Sequence, residues 1–438
     1  MARVLLAAHP TAGHTSALRA IGVYLLNRGH KVGMTIAAIR LPFVEHLPTL
    51  LRSTIALPSS IARDGIEVLP LKFPPGYAWY GARLTRAKGH DELALALRFF
   101  TSGLKRQTRQ IAGYARKWNA DVVVGDYLLP AAMLGARLSN RPYVALYHSA
   151  LPFPVKDAPP FGSGLEGASP NSEAWRRAEE RVQGFADFFD NKVAGAAKSL
   201  GIPFKRTSLL TSPMSEELNL LTTIPELEPG LLPLQGPVVM TGPCLPRVEN
   251  VDGDDPALQI PRHGKRRVYV SLGTVFNDQP HIFKSILEGI SGLGLQAIVS
   301  AGASYDRFGE QFDADVHVFR RVPQVALLPT VDVVVTHGGN NTVQETLVAG
   351  KPMVVVPFGG EQLVNARRVQ QLGAGTTVLP GELDAASIRR AVETAFQPAV
   401  IERARTLGDA LQAYDGTAIA AGKILELEIA TETTPPSL

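Results

Sequence analysis

Residues 320–373 read RRVPQVALLPTVDVVVTHGGNNTVQETLVAGKPMVVVPFGGEQLVNARRVQQLG. Asp332 to Thr336 is short and mostly β-branched, which predicts a parallel strand buried on both faces. His337, Gly338 and Gly339 form a tight turn, and Asn340 to Val348 predicts a helix that ends at Gly350. Met353 to Val356 predicts a second buried strand, Phe358 to Glu361 a loop, and Gln362 to Leu372 a helix stopped by Gly373. Strand, turn, helix, strand, loop and helix with connections this short make half of a doubly wound α/β sheet.

Ligands of such sheets bind outside the carboxyl ends of the strands. His337, Asn341 and Thr342 follow one predicted strand, and Glu361 and Gln362 follow the next, so all five are expected to line one cleft. The helix opening at Asn340 turns its first N–H groups and its positive dipole end toward that cleft, which makes an anion site. Glu345 lies four residues after Asn341 on the same helix face, one turn further from the anion. A carboxylate in that place suits the paired hydroxyls of a ribose. Glu361 and Gln362 offer acceptors and donors for a second polyhydroxylated group. Phosphate, ribose and sugar together describe a nucleotide sugar.

The run RVPQ…LLPTVDVVVTHGGNNTVQE…GKPMVVVPFGGEQLVNARRV…LGAG resembles the donor-binding signature of the inverting, nucleotide-sugar-dependent glycosyltransferases, the large family that includes plant and antibiotic-tailoring glucosyltransferases. The resemblance implies the GT-B architecture, two Rossmann-like domains facing across a cleft, and chemistry without a metal. It also implies roles: His337, Gly339, Asn341 and Thr342 at the diphosphate, Glu345 at the ribose, Glu361 and Gln362 at the sugar hydroxyls, Val322 and Gln324 at the base. Where the family carries an aromatic residue stacked on the base, this chain has Arg321, whose planar guanidinium can also stack there.

Composition bounds the other possibilities. A chain of 438 residues predicts two or three domains, and 45% hydrophobic with 19% charged residues is enough to bury two cores. The net charge of +4 is small for this length and no basic block is interleaved with aromatics, so nucleic acid is not an expected partner. The single cysteine, Cys244, excludes an internal disulfide and fits a reducing cytoplasm. No run approaches the ~20 apolar residues of a membrane span, so the expectation is a soluble cytoplasmic protein.

Toward the N-terminus, Val4 to Ala8 predicts a strand, PTAGHTS a turn, Ala17 to Leu26 a helix capped by Gly29, and Val32 to Ile36 the next strand. This βαβ opening lacks the Gly-x-Gly-x-x-Gly turn and the acidic residue of a dinucleotide site. Its turn carries His14, in isolation either a polar turn residue or a base. Gly13-His14, the amphipathic helix and Arg28-Gly29-His30 match the opening of the same glycosyltransferase family, which implies that His14 is the catalytic base. Asp121 to Val124 predicts another strand, ending in Gly125-Asp126. Asp126 can therefore meet His14, and it matches the position that supplies the family's carboxylate partner.

The aromatics of FPPGYAWYG, among them Phe73, Trp79 and Tyr80, read either as a loop tucked onto the core or as an apolar acceptor wall. The helix starting after Ser172 carries the stripe Trp175, Ala178, Val182, Phe185 and Phe189, a core face from which Phe185 is the candidate to touch an acceptor. Near the second domain's start, Leu272-Gly273-Thr274 turns after the strand Arg267 to Ser271 and places Gly273 and Thr274 near the diphosphate. Between the domains, residues 232–264 are Pro-rich and read as a strand-free linker. Asp252-Gly253-Asp254 within it formally matches a metal-binding Asp-x-Asp and reads as solvated linker, so neither a metal nor a cofactor is expected beyond the UDP-sugar co-substrate.

The expected organisation is an acceptor-binding domain at 1–231, the linker at 232–264, a nucleotide-sugar domain at 265–415, and a terminal helix and frayed tail at 416–438. The expected function is metal-independent, inverting transfer of a sugar, glucose in first place, from UDP-sugar to a hydroxyl of a small, largely apolar acceptor. A nucleotide-sugar epimerase of similar fold and a non-catalytic sugar-nucleotide-binding protein are the alternatives.

Overall fold

The computed structural model describes residues 1–38, 49–73, 76, 79, 83, 90–165, 168–170, 172–205, 208–246, 254–273, 279–308 and 315–432. The chain builds two parallel sheets. The first contains β1 (Arg3–Ala7), β2 (Lys31–Ala37), β3 (Glu67–Leu71), β4 (Val122–Asp126), β5 (Tyr143–Tyr147), β6 (Leu218–Leu221) and β7 (Val238–Met240) in the spatial order β3-β2-β1-β4-β5-β6-β7. The second contains β8 (Arg267–Ser271), β9 (Gln296–Ser300), β10 (Val316–Phe319), β11 (Val333–Thr336), β12 (Met353–Val355) and β13 (Gly375–Thr377) in the order β10-β9-β8-β11-β12-β13.

Apolar residues at every position of the central strands follow from helices covering both faces. Along β1, Leu5 and Ala7 enter the core that also holds Ile111, Ala131 and Leu134, whereas Val4 and Leu6 enter the opposite one with Leu18 and Ile21. That opposite core includes Ala420, Ala421 and Ile424, so the last helix, Gly416–Glu432, returns from the second sheet to pack on the first. The two faces of the second sheet hold cores around Phe283 and around Leu347.

Strand order reverses between β1 and β4 in one sheet and between β8 and β11 in the other. The registers Ala7 with Gly125 and Thr336 with Ser271 bring the carboxyl ends of each pair level with one another. Crevices at such reversal points are where open α/β sheets take ligands.

Three expectations are corrected. Val238–Met240, inside the Pro-rich stretch read as strand-free, pairs in parallel with β6 as the seventh strand. Pro237 tolerates this position because it sits before the strand and supplies only its carbonyl, which accepts from Asn219 N at 2.8 Å. The helix read from Ala17 begins at Ala12, because extended Thr11 serves as its N-cap residue and Thr15 Oγ1 donates to Thr11 O at 3.1 Å, which braces the first turn. The helix read from Gln362 begins at Gly360, so Glu361 lies in its first turn rather than in a loop.

Contacts join the halves near the cleft. Asn340 Nδ2 donates to His148 O at 2.8 Å, and Gln344 Nε2 donates to Thr222 O. Arg368 pairs with Glu228 at 3.1 Å, both side chains buried.

Candidate active site

His14 is the third residue of its helix, and that position aims its ring across the end of β1 toward the end of β4. There Asp126, the last residue of β4, is completely buried. His14 Nδ1 and Asp126 Oδ2 are 2.6 Å apart. A carboxylate can only accept, so Nδ1 carries the proton and Nε2 keeps a free lone pair. Asp126 Oδ1 accepts the N–H of Leu128 at 2.9 Å and lies 3.1 Å from His148 Nε2. His148, one residue beyond β5, is thus a second imidazole on the same carboxylate.

Burial by itself would push the Asp126 carboxyl up; the two imidazoles outweigh it and hold it well below the usual carboxylate range. At His148 burial works against the cation, but Asp126, helped by Glu361, raises its pKa above the ordinary imidazole value. His9, on the other side of His14, is driven down to about 4 by burial and stays neutral, its Nε2 3.0 Å from Leu128 O. Donor atoms of His14, Asp126 and His148 lie within 4.8 Å of one another. At 2.6 Å the His14–Asp126 contact shares a proton, and an Nδ1 that donates has no lone pair for a cation.

In the second half, His337 follows β11 and Gly273 lies two residues beyond β8. The His337 ring fits between two glycines. A Cβ on Gly273 would lie 2.4 Å from Cε1, and one on Gly339 2.6 Å from Nε2. Gly273 also has φ +76°, which disfavours other residues. Burial lowers the His337 pKa to about 4, so the ring is neutral near pH 7 and offers one N–H without charge.

The helix Asn340–Val348 starts from extended Gly339 with no side-chain cap, which leaves its first N–H groups open to an anion. Asn341 is half-buried and Thr342 buried in that first turn. One turn on, Glu345 Oε2 accepts from Gln324 Nε2 at 2.5 Å; the same amide is 3.3 Å from Thr342 Oγ1, and Gln324 Oε1 accepts from Tyr269 OH at 3.1 Å. Gln324 is thereby placed on the Glu345 carboxylate. Burial raises Glu345 to about 7, with the Gln324 bond pulling the other way. Glu361 Oε2 accepts from Ala150 N at 3.3 Å, whereas buried Gln362 uses Oε1 to accept from Phe358 N at 2.8 Å. Val322 packs on the second core and Arg321 is exposed.

The segment 148–150 ties these parts together. It holds the imidazole on Asp126, the carbonyl that Asn340 binds, and the N–H that Glu361 binds. The His14–Asp126 pair of one sheet and the uncapped helix of the other are therefore neighbours.

The candidate acceptor residues are scattered. Phe73 and Phe185 pack on the first core, and Trp79 is 51% exposed beneath the guanidinium of Arg83. Tyr80 and Thr274 lie outside the described residues, as do Asp252 and Gly253 of the formal metal motif. Among the described residues, the rings set against His14 are His9, Phe100 and His148, with centroids at 5.5, 5.2 and 4.7 Å. Phe100 ends the helix His90–Phe100 and belongs to a stretch with no motif. His148 had a signal: it follows a buried strand directly, as Asp126 ends one.

Residues 262–403 match the family model "UDP-glucoronosyl and UDP-glucosyl transferase". The match lies wholly within the second half of the chain. The matched segment holds Gly273, His337, Asn341, Glu345 and Glu361. Similar proteins include the NDP-glycosyltransferase YjiC of Bacillus licheniformis, 34% identical over 187 residues, 42% of this chain and 46% of that protein. The first curated relatives are each matched over less than half their length. The 4'-demethylrebeccamycin synthase of Lentzea aerocolonigenes is 26% identical over 94% of this chain and 96% of its own. The crystal structure of the glycotransferase of kitacinnamycin superposes with a TM-score of 0.70 at 22% identity, over 97% of this chain and 99% of that one. That likeness spans both sheets, so the fold is GT-B. Among the described residues no helix is long and apolar enough to cross a membrane.

Proposed function

We propose that the chain is a metal-independent, inverting glycosyltransferase that moves a sugar from UDP-sugar, in first place UDP-glucose, to a hydroxyl of a small, largely apolar acceptor. The observation that carries this reading is the adjacency of a His–carboxylate base and an uncapped helix N-terminus, each at the strand-order reversal of its own sheet and linked through residues 148–150.

The acceptor hydroxyl gives its proton to His14 Nε2, and Asp126 stabilises the imidazolium that results. The acceptor oxygen forms its bond to the anomeric carbon from the face opposite the diphosphate. The bond from that carbon to the phosphate oxygen breaks, and the configuration inverts. Charge growing on the departing diphosphate meets the open N–H groups of the Asn340–Val348 helix, the neutral His337 ring, Asn341 and Thr342. Glu345 takes the two ribose hydroxyls and Glu361 a sugar hydroxyl. Phe100 against His14 and the neighbouring Phe99 favour an apolar aglycone.

Two results are expected on the donor side. A 2′-deoxyribose leaves one Glu345 oxygen without its hydroxyl, and losing a charge-assisted hydrogen bond costs about 1.5–3 kcal/mol. The kcat/KM for UDP-glucose should exceed that for dTDP-glucose accordingly, and a preference for the dTDP donor would overturn the ribose assignment. Glu345 has its pKa raised to about 7, and hydroxyl donors favour its ionised form. Donor affinity should therefore rise with pH through about 7 and level off above it. Glu345→Gln should flatten that dependence in a calorimetric titration. With an α-linked donor, the product's anomeric linkage read by NMR should be β.

A further inference from the structure

His148 has a structural position that the base–carboxylate pair does not require. It is buried, and its Nε2 lies 3.1 Å from the Asp126 oxygen that His14 leaves free, close enough to pair with that carboxylate when the ring is protonated. Its main-chain oxygen accepts from Asn340, the first residue of the helix expected to receive the diphosphate. Building on the glycosyltransferase reading, we propose that His148 is a positioning residue. Its imidazolium holds Asp126 from the far side and, by sharing that carboxylate's charge, sets the pH above which His14 is free to take a proton.

The electrostatics follow from the charges around the three groups. Asp126 brings one negative charge to two imidazoles. With a cation already on His148, a second cation on His14 gains less from Asp126. Among the described residues, the other groups facing the cluster do not replace this cation. His9, 5.5 Å from His14 between ring centroids, is held neutral by burial. Tyr127, whose ring is 6.1 Å from His148, has its hydroxyl on Ser149 Oγ and its pKa raised well above the ordinary value by burial, so it is neutral too. Glu361 approaches from the donor half through Ala150 and favours the cation on His148. Phe100 and Asn340 carry no charge. The contacts that bring Glu361 and Asn340 onto 148–150 therefore place a carboxylate where it favours the protonated state of His148.

The test is the kcat/KM–pH profile of wild type and His148→Gln with an apolar alcohol acceptor. The amide keeps the size and polarity of the site without the charge. The acid limb of the variant should move up by on the order of one pH unit, since a unit charge about 5 Å away acts through a partly shielded interior. An unmoved limb with a uniformly lower rate would mean a merely structural residue and would overturn the proposal. A second measurement needs neither turnover nor a variant: nitrogen NMR of the wild-type imidazoles at pH 6.5. The expected result is a doubly protonated His148, and a neutral His148 ring would refute the proposal. Absence of any transfer by wild type would instead sink the glycosyltransferase reading, and the NMR result would still decide the charge on His148.

Discussion

His14→Ala is expected to lower kcat by roughly 10²–10⁴-fold, the usual contribution of a general base, while UDP-sugar affinity measured by calorimetry stays within about a factor of two of wild type. The separation follows from the fold. His14 is carried by the first sheet, and its contacts are Asp126, His9, Phe100 and His148. The expected donor residues are carried by the second sheet, and the link between the two sets runs through 148–150 rather than through His14. The loss should shrink for nitrophenol acceptors, whose hydroxyls need less help in losing a proton. Near-normal transfer to an ordinary alcohol by His14→Ala would remove it from the role of base.

Gly273→Ala should be the second most damaging change, and it acts on the donor side. Its added methyl would lie 2.4 Å from His337 Cε1 and 2.6 Å from Nε2, and φ +76° already strains any residue with a Cβ. The ring must move, and the leaving diphosphate then loses an N–H placed for it. Loss of one such donor is expected to cost about 10²–10³-fold in kcat. Unlike His14→Ala, this variant should also bind UDP-sugar more weakly, because the displaced ring enters the anion site. Gly339→Ala should behave alike, since its methyl would lie 2.6 Å from the same ring. Gly381→Ala, with open space around it, is the control expected to change nothing. Steady-state kinetics and calorimetry on the three variants distinguish these outcomes. A fully active Gly273→Ala would show that His337 does not act on the leaving group.

Residues 320–373 were legible because the local rules agree there. The β-branched runs, the glycines at turns and the helical spacing mark β11, the helix Asn340–Val348 and β12 to within a residue or two. Strands β8, β9 and β10 were legible for the same reason. Less was legible where one rule hides another. Prolines masked β7, whose three residues gain order only by pairing with β6. The helix Pro398–Gln412 carries only the ordinary signals of proline at its first position and Ala404, Leu407 and Leu411 on one face.

The meeting of His14 and Asp126 was readable because Asp126 ends a strand and His14 lies in the first turn of the helix that follows another. Their 2.6 Å contact is a tertiary fact, set by the β1–β4 register across more than a hundred residues. His148 obeys the same positional rule. Only the sheet order, with β5 beside β4, shows that it reaches Asp126. Phe100 could not be found at all. Its place against His14 depends on how the helix His90–Phe100 packs, and no motif encodes that.

Acceptor-dependent release of UDP from UDP-glucose is the most direct test of sugar transfer. The purified chain, incubated with UDP-glucose and a panel of phenolic, macrolide, terpenoid and carotenoid alcohols, should release UDP only when an apolar alcohol is present, in a one-to-one ratio with glucoside formed. Consumption of UDP-glucose without any acceptor would point to an epimerase or hydrolase. Binding of UDP-glucose with no UDP released to any member of the panel would contradict the transfer reading.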